Sequence, residues 1–319
     1  MCDTVLYIIV PCYNEQEVLD DSAAKLKKFL EGLIINEAVS TKSRILFVDD
    51  GSKDDTWSII DRLTDTSTLF EGLKLAHNAG HQNALWAGMD TVKDRCDCVV
   101  TIDADLQDDL NAINGFLKEF ENGAQIAYGV RSKRDKDSFF KRFTAEGFYK
   151  LMNALGTETV FNHADYRLMS RKAVYTLMEF PEVNLFLRGM VPSLGFKTAS
   201  VEYERGIRLA GESKYPLKKM LAFAFQGITS FSSKPIHIVL FSGLGITALS
   251  ALAAFIRLIA LIFGAGGSSI AWLTLSVWFL GGLILAALGL IGEYVGKIYS
   301  EVKRRPRYIT EKYKSGDNQ

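Results

Sequence analysis

Over its first 130 residues the chain alternates short apolar runs with stretches of helical period. Leu6 to Val10 is followed by an amphipathic stretch from Glu15 to Leu33, Ile45 to Val48 by one from Asp54 to Leu63, and Leu69 to Leu75 by one from Gln82 to Val92. The pattern continues with Val99 to Ile102, a helical period from Leu110 to Glu121, and Ala124 to Val130. This alternation predicts an α/β domain whose mainly parallel sheet carries helices on both faces. In such sheets ligands bind beyond the carboxyl ends of the strands, so the polar residues there are the ones to inspect.

The pattern changes late in the chain. Two long apolar stretches, from about Ile236 to Phe263 and from about Ile270 to Ile291, each exceed the ~20 residues needed to cross a bilayer. Lys214, Lys218, Lys219 and Lys234 precede the first, Lys297, Lys303, Arg304, Arg305 and Arg307 follow the second, and the link from Gly264 to Ser269 is uncharged. The distribution predicts a transmembrane hairpin in the plasma membrane with both termini cytoplasmic. Arg257, near the outer end of the first stretch, can snorkel to the interface. The expected organisation is a cytoplasmic domain over 1–210, an interfacial helix over 211–234, two spans over 235–292 and a cytoplasmic tail over 293–319. The interfacial segment mixes Lys218 and Lys219 with Leu217, Met220, Leu221, Phe223, Phe225, Ile228 and Phe231, which suits the headgroup layer. Gly292 and Gly296, four apart on the second span, would permit close helix contact and hence a homo-oligomer.

Composition narrows this picture. The 319 residues are 48% hydrophobic with a formal charge of zero, so nothing in the overall balance points to nucleic acid. Cys2, Cys12, Cys96 and Cys98 lack paired C-x-x-C spacing, which argues against a zinc site or a disulfide framework. The amino terminus has neither a basic flank nor a long apolar core, so no signal peptide is expected. No G-x-G-x-x-G follows the first strand, which disfavours a dinucleotide site.

Chemistry concentrates at the strand ends. Asp103-Ala104-Asp105 stands where Val99-Val100-Thr101-Ile102 gives out. Two carboxylates one residue apart at that place call for a cation, and a hard divalent ion uses one or two carboxylates together with substrate phosphates. Asp49-Asp50-Gly51-Ser52 ends the second strand, reading either as a capped turn or as a carboxylate that meets a base or ribose. Asn78-Ala79-Gly80-His81-Gln82 opens a helix, with His81 either catalytic or a capping and packing residue. His163-Ala164-Asp165-Tyr166-Arg167-Leu168 sets an acid and a base in apolar surroundings, as a buried Asp165–Arg167 pair, a turn, or a functional group. Arg205 to Tyr215 combines three cations, small residues and a hydroxyl, a composition suited to phosphate. Arg131, nearest the fifth strand among Arg131, Lys133, Arg134 and Lys136, is placed to reach the same end of the sheet.

Together these segments resemble glycosyltransferase family 2, the inverting nucleotide-sugar enzymes with the A-type glycosyltransferase fold. More narrowly, the chain is similar to the polyprenyl-phosphate glycosyltransferases, the group of dolichol-phosphate mannose synthases and bactoprenol glucosyltransferases. The resemblance runs from Val10 to about Arg307 and rests on Val10 to Glu15, Val48 to Ser52, Asn78 to Gln82, Asp103 to Asp108, Ala164 to Leu168 and Arg208 to Tyr215, in order and before a two-span tail. It implies that Pro11, Tyr13, Glu15 and Asp50 line a nucleotide pocket, that Asp103 lies near the ribose or metal, and that Asp105 and Gln107 hold Mg²⁺ or Mn²⁺ on the diphosphate. Asp165 matches the acid assigned as catalytic base in relatives, and Arg131, Arg205, Arg208, Ser213 and Lys214 would bind donor or acceptor phosphates. Ala79 departs from the larger residue that relatives often carry there.

The activity so implied is inverting transfer of a sugar from a nucleotide-diphosphate donor, UDP-glucose or UDP-N-acetylglucosamine first and GDP-mannose as the alternative, to a membrane lipid such as undecaprenyl phosphate. An acceptor monophosphate has a second pKa near ~6, so at neutral pH it is already largely a dianion, and Asp165 need not act as a strong base. Rival readings fit less well. A polysaccharide synthase would bring a Gln-x-x-Arg-Trp signature and more spans, an aspartyl phosphatase would carry Thr or Val where Gln107 stands, and a noncatalytic adaptor would have no use for Asp103, Asp105, Asp165 and Arg208.

Overall fold

The computed structural model describes residues 3–131, 163–183, 185–204 and 270–316, together with eight helical positions between 239 and 259. These residues fall into two units, one holding the sheet with its helices and the other a long apolar helix.

The first unit is an eight-stranded mixed sheet in the order β7-β5-β6-β4-β1-β2-β3-β8. The strands are β1 (Leu6–Cys12), β2 (Arg44–Asp49), β3 (Phe70–Leu75), β4 (Cys98–Thr101), β5 (Ile126–Arg131), β6 (His163–Ser170), β7 (Thr198–Tyr203) and β8 (Thr310–Ser315). β1 pairs in parallel with β2 and β4, β2 with β3, and β5 with β7, whereas β6 runs against β4 and β5, and β8 against β3. The central strands are continuous apolar runs because both of their faces are covered; every residue of β1 and β4 is buried. The helices are α1 (Leu19–Ile35), α2 (Thr56–Thr66), α3 (His81–Val92), α4 (Ala112–Glu121), α5 (Arg171–Met178) and α6 (Leu187–Ser193). In α1, Leu19, Ala23, Leu26, Leu30 and Leu33 are buried at helical spacing, the stripe that the sequence period predicts. Cys12, Cys96 and Cys98 are buried.

Three strands lie outside the sequence expectation. β6 covers the His163 to Leu168 segment that sequence left as pair or turn, β7 follows it, and β8 lies in the segment read as a tail. Beside its backbone ladder with β3, β8 is tied down by a buried carboxylate. Glu71 on β3 is 1% exposed and accepts from both terminal nitrogens of Arg95 at 3.1 Å, from Tyr7 Oη at 3.1 Å and from Tyr313 Oη at 2.7 Å. A carboxylate that deep requires such partners, and the last comes from β8.

The second unit contains α7 (Ile270–Lys303), a helix of 34 residues that outruns the predicted end of the second span. Its segment Phe279–Lys303 is, among the described residues, the one helix long and apolar enough to cross a membrane. Leu273, Val277, Phe279, Ile284 and Leu288 stand exposed on it, a bare apolar surface that water does not favour. A Cβ on Gly292 or Gly296 would meet nothing within 4 Å. The first predicted span is described only at eight helical positions, of which Phe241, Leu249, Leu252, Phe255 and Ile259 are exposed. The predicted interfacial helix, Arg257 and the rest of the first span lie outside the described residues.

Candidate active site

The parallel order puts the carboxyl ends of β1, β2 and β4 side by side. Pro11 is a buried member of β1 opposite Val48, and Tyr13, just past the strand, is 39% exposed. Asn14 takes a left-handed backbone, φ 53°, and donates its N–H to Ser52 Oγ at 3.0 Å while its Oδ1 accepts from Lys53 N–H at 2.9 Å. Glu15 N–H donates to Thr56 Oγ1 at 2.9 Å. These bonds stitch the loop after β1 to the loop after β2.

At the end of β2 the two carboxylates have different work. Asp49 is fully buried; its Oδ1 accepts from Ser52 N–H at 3.1 Å, its Oδ2 has no hydrogen-bond partner among the described residues, and burial raises its carboxyl above the usual range. Asp50 accepts from Ala79 N–H at 2.7 Å and Gly80 N–H at 3.0 Å, one on each oxygen, so it fastens the loop that leads into α3. Gly51 makes the approach feasible. Its φ is +64°, and a Cβ there would fall 2.5 Å from the His77 carbonyl carbon and 2.6 Å from Asn78 N.

Past β4, Asp103 to Gln107 forms a tight loop. Ser22 Oγ on α1 donates to the Ala104 carbonyl at 2.6 Å, and Leu106 is left-handed with φ 43°. That turn lets Gln107 Nε2 donate back to Asp105 Oδ2 at 2.7 Å. The next carboxylate, Asp108, is buried and accepts from Tyr203 Oη at 2.8 Å and Arg131 Nη2 at 3.2 Å, while Arg131 Nε also donates to Tyr203 Oη. Arg131 is therefore joined to the Asp-rich loop through Asp108.

Because β6 runs against β4, its start lies beside the end of β4 and carries Asp165 to the same place. Arg167, itself fully buried, donates to Asp165 Oδ1 at 2.5 Å, and Arg188 on α6 forks onto the carboxylate at 3.1 and 3.4 Å. His81, the first residue of α3, holds its Nε2 3.8 Å from both Asp165 Oδ2 and Asp103 Oδ1. Burial alone would raise the Asp165 carboxyl; the Arg188 and Arg167 guanidiniums outweigh it and hold the group well below the usual carboxylate range. At Asp103, half-buried with its side chain 48% exposed, the carboxyl lies above its ordinary value: partial desolvation raises it, His81 opposes the rise, and the neighbouring Asp165, Asp108 and Asp105 add to it.

The structure thus brings Asp103, Asp105, Gln107 and Asp165 to one place with His81, and draws Arg131 in through Asp108. Arg205, Arg208, Ser213 and Lys214 lie outside the described residues. Among the described residues no three His, Cys, Asp or Glu side chains form a ready-made metal cage. Asp103 and Asp105, one residue apart in the loop after β4 with Gln107 Nε2 on Asp105, still fit a divalent ion, which needs only one or two protein carboxylates when substrate phosphates complete its shell. Sequence reasoning missed Arg188, and it named Gln82 in the Asn78 to Gln82 segment without giving it a role. Gln82 Oε1 accepts from Leu187 N–H at 2.7 Å and so docks α6 on α3. The contact joins residues 105 positions apart, and the one local signal was a lone arginine in an apolar stretch, Phe186-Leu187-Arg188-Gly189-Met190.

The family described as Glycosyl transferase family 2 matches residues 7–178. YkoT of Bacillus subtilis (strain 168), named an uncharacterized glycosyltransferase, is 51% identical over 307 residues, covering 96% of this chain and 91% of that protein. The SfII prophage-derived bactoprenol glucosyl transferase of Shigella flexneri is 38% identical over 312 residues, covering 97% and 98%. The prophage bactoprenol glucosyl transferase homolog of Escherichia coli (strain K12) is 37% identical over 309 residues, covering 96% and 98%.

Proposed function

The chain belongs to glycosyl transferase family 2, and within it we propose that this protein moves a sugar from a nucleotide diphosphate to a polyprenyl phosphate at the cytoplasmic face of a membrane. The observation that carries the reading is the meeting of Asp103, Asp105 and Asp165 at the ends of β4 and β6. It occurs in a chain alike over nearly its full length to proteins named bactoprenol glucosyl transferases. The proposed donor is UDP-glucose or UDP-N-acetylglucosamine and the proposed acceptor undecaprenyl phosphate.

In this reading Pro11, Tyr13, Glu15 and Asp50 border the nucleotide, and Asp103, Asp105 and Gln107 hold Mg²⁺ or Mn²⁺. When bound, the ion offsets the charge that grows on the departing nucleoside diphosphate. A phosphate oxygen of the acceptor attacks the anomeric carbon as the bond to the diphosphate oxygen breaks, and in-line attack inverts that centre. With a second pKa near ~6 the acceptor is already a dianion at neutral pH. Asp165, held ionised by two arginines, then serves to orient the acceptor and to face the positive charge on the sugar ring, which makes it a poor proton acceptor. Arg131, Arg205, Arg208, Ser213 and Lys214 are the proposed phosphate ligands. The interfacial helix over 211–234 and two spans over 235–292 would hold the domain at the lipid, with both termini cytoplasmic; support for the second span comes from α7.

The test is transfer of radiolabelled sugar from a panel of UDP- and GDP-sugars to undecaprenyl phosphate by the detergent-solubilised full chain, with and without Mn²⁺. A metal-dependent labelled lipid supports the reading and names the donor; a folded protein that labels no lipid from any donor overturns it.

A further inference from the structure

We infer that Arg307 is a positioning residue for the transfer site: it clamps the segment 180–182 onto α3 and thereby sets α6, with Arg188, against Asp165. In the sequence Arg307 counted only as one of the basic residues flanking a span. In the fold its Nε donates to the Glu182 carbonyl at 2.9 Å, its Nη2 donates to the Phe180 carbonyl, and its guanidinium lies 4.0 Å over the ring of Trp86, a residue 2% exposed. The next residue repeats the attachment, since Tyr308 Oη donates to Asp90 Oδ2 at 2.6 Å.

The spacing on α3 ties this clamp to the chemistry. Gln82, Trp86 and Asp90 stand four apart and share one face of the helix. Gln82 takes the Leu187 N–H at the start of α6, Trp86 takes Arg307, and Asp90 takes Tyr308. α6 has seven residues and contains Pro192, so it has little stability of its own and takes its orientation from its surroundings. Leu187, Met190 and Val191 are buried, and the Leu187 peptide is held on both sides, its N–H by Gln82 and its carbonyl by Arg167 Nη1 at 3.4 Å. A further hold acts on the chain just upstream, where Arg307 ties two carbonyls to Trp86 with a planar fork that lysine cannot reproduce. Arg188 on α6 and His81 on α3 both bear on Asp165, so a shift between the two helices is a shift in the carboxylate. A misplacement of about 1 Å at such a group costs on the order of 100-fold in rate.

The inference rests on the proposed transfer reaction, and its test has one arm that does not need turnover. Wild type, Arg307→Ala, Arg307→Lys and Lys312→Ala are compared as full chains in detergent by amide hydrogen exchange and by transfer kinetics. Lys312, on β8, pairs with Asp61 on α2 and controls for a general loosening of the carboxyl-terminal strand. Arg307→Ala should speed exchange in peptides covering 180–193 and 81–86 by roughly tenfold, with β1 and β2 unchanged. It should also lower kcat at least about tenfold while donor KM stays within about twofold. Arg307→Lys, which keeps the cation over Trp86 and loses the fork, should fall between; if Arg307→Ala does not fold, this variant carries the comparison. Lys312→Ala should match wild type. Unchanged exchange over 180–193, a normal kcat despite faster exchange there, or an equal loss in Lys312→Ala would each overturn the inference. A wild type that transfers no sugar counts against the proposed function, and the exchange arm still judges the clamp.

Discussion

Replacing Arg188 with Ala removes the fork on Asp165 and leaves Arg167 in place. Hydrogen bonds to charged groups are worth about 1.5–3 kcal/mol net. One arm of this fork is long at 3.4 Å and the Arg188 side chain is 33% exposed, so the low end applies, about 1.5–2 kcal/mol. If Asp165 must keep its place while charge develops on the sugar, that loss appears in the barrier and lowers kcat about 13- to 30-fold. Initial rates of lipid labelling at saturating donor and acceptor measure it, with near-ultraviolet circular dichroism as the check on folding. Arg188→Lys should recover part of the loss, because an ammonium supplies the charge without the fork. A folded Arg188→Ala enzyme with kcat within about twofold of wild type would refute the reasoning, since it would leave Arg167 alone sufficient to hold Asp165.

Asp105→Ala should lower turnover by about 100-fold or more and abolish Mn²⁺ binding seen by electron paramagnetic resonance, with the far-ultraviolet spectrum unchanged; retained Mn²⁺ affinity would remove Asp105 from the metal site. Gly51→Ala forces a side chain into a left-handed backbone, about 1–2 kcal/mol, and against the His77 and Asn78 backbone, about 1–3 kcal/mol. A urea-denaturation loss below about 2 kcal/mol would show that the His77 to Gly80 loop yields more readily than its contacts suggest. Since Asp165 is held ionised far below neutral pH, the acid limb of kcat/KM should follow the acceptor's second ionisation near ~6. Asp165→Asn should then lower the rate without moving that limb; a limb that disappears in the variant would make Asp165 the titrating group.

The sheet was legible because its central strands are buried on both faces and so appear as uninterrupted apolar runs, and because their helices keep one buried stripe. β6, β7 and β8 gave no such signal. β7 alternates between exposed and half-buried positions at a sheet edge, β8 is mostly exposed and is held by a few polar contacts, and β6 opens with polar residues at the site. The Asp-rich loop after β4 was legible for the same reason as its strand, since in a parallel sheet the carboxyl ends gather and polar residues there stand out against apolar neighbours.

Sequence alone therefore determined the layered architecture, the family and the group of acids from which a site can be built, since these depend on local period and on residues close together in the chain. Tertiary structure decided what those acids meet. That Asp50 spends both oxygens on the loop before α3, that Arg188 and Arg167 share Asp165, and that Arg307 grips Trp86 all depend on contacts spanning from two to more than two hundred residues. The Asp165 contacts depend on antiparallel β6 lying between β5 and β4, and the Arg307 grip on the chain that returns as β8 along the edge of β3; pairing between distant segments leaves no period in either one.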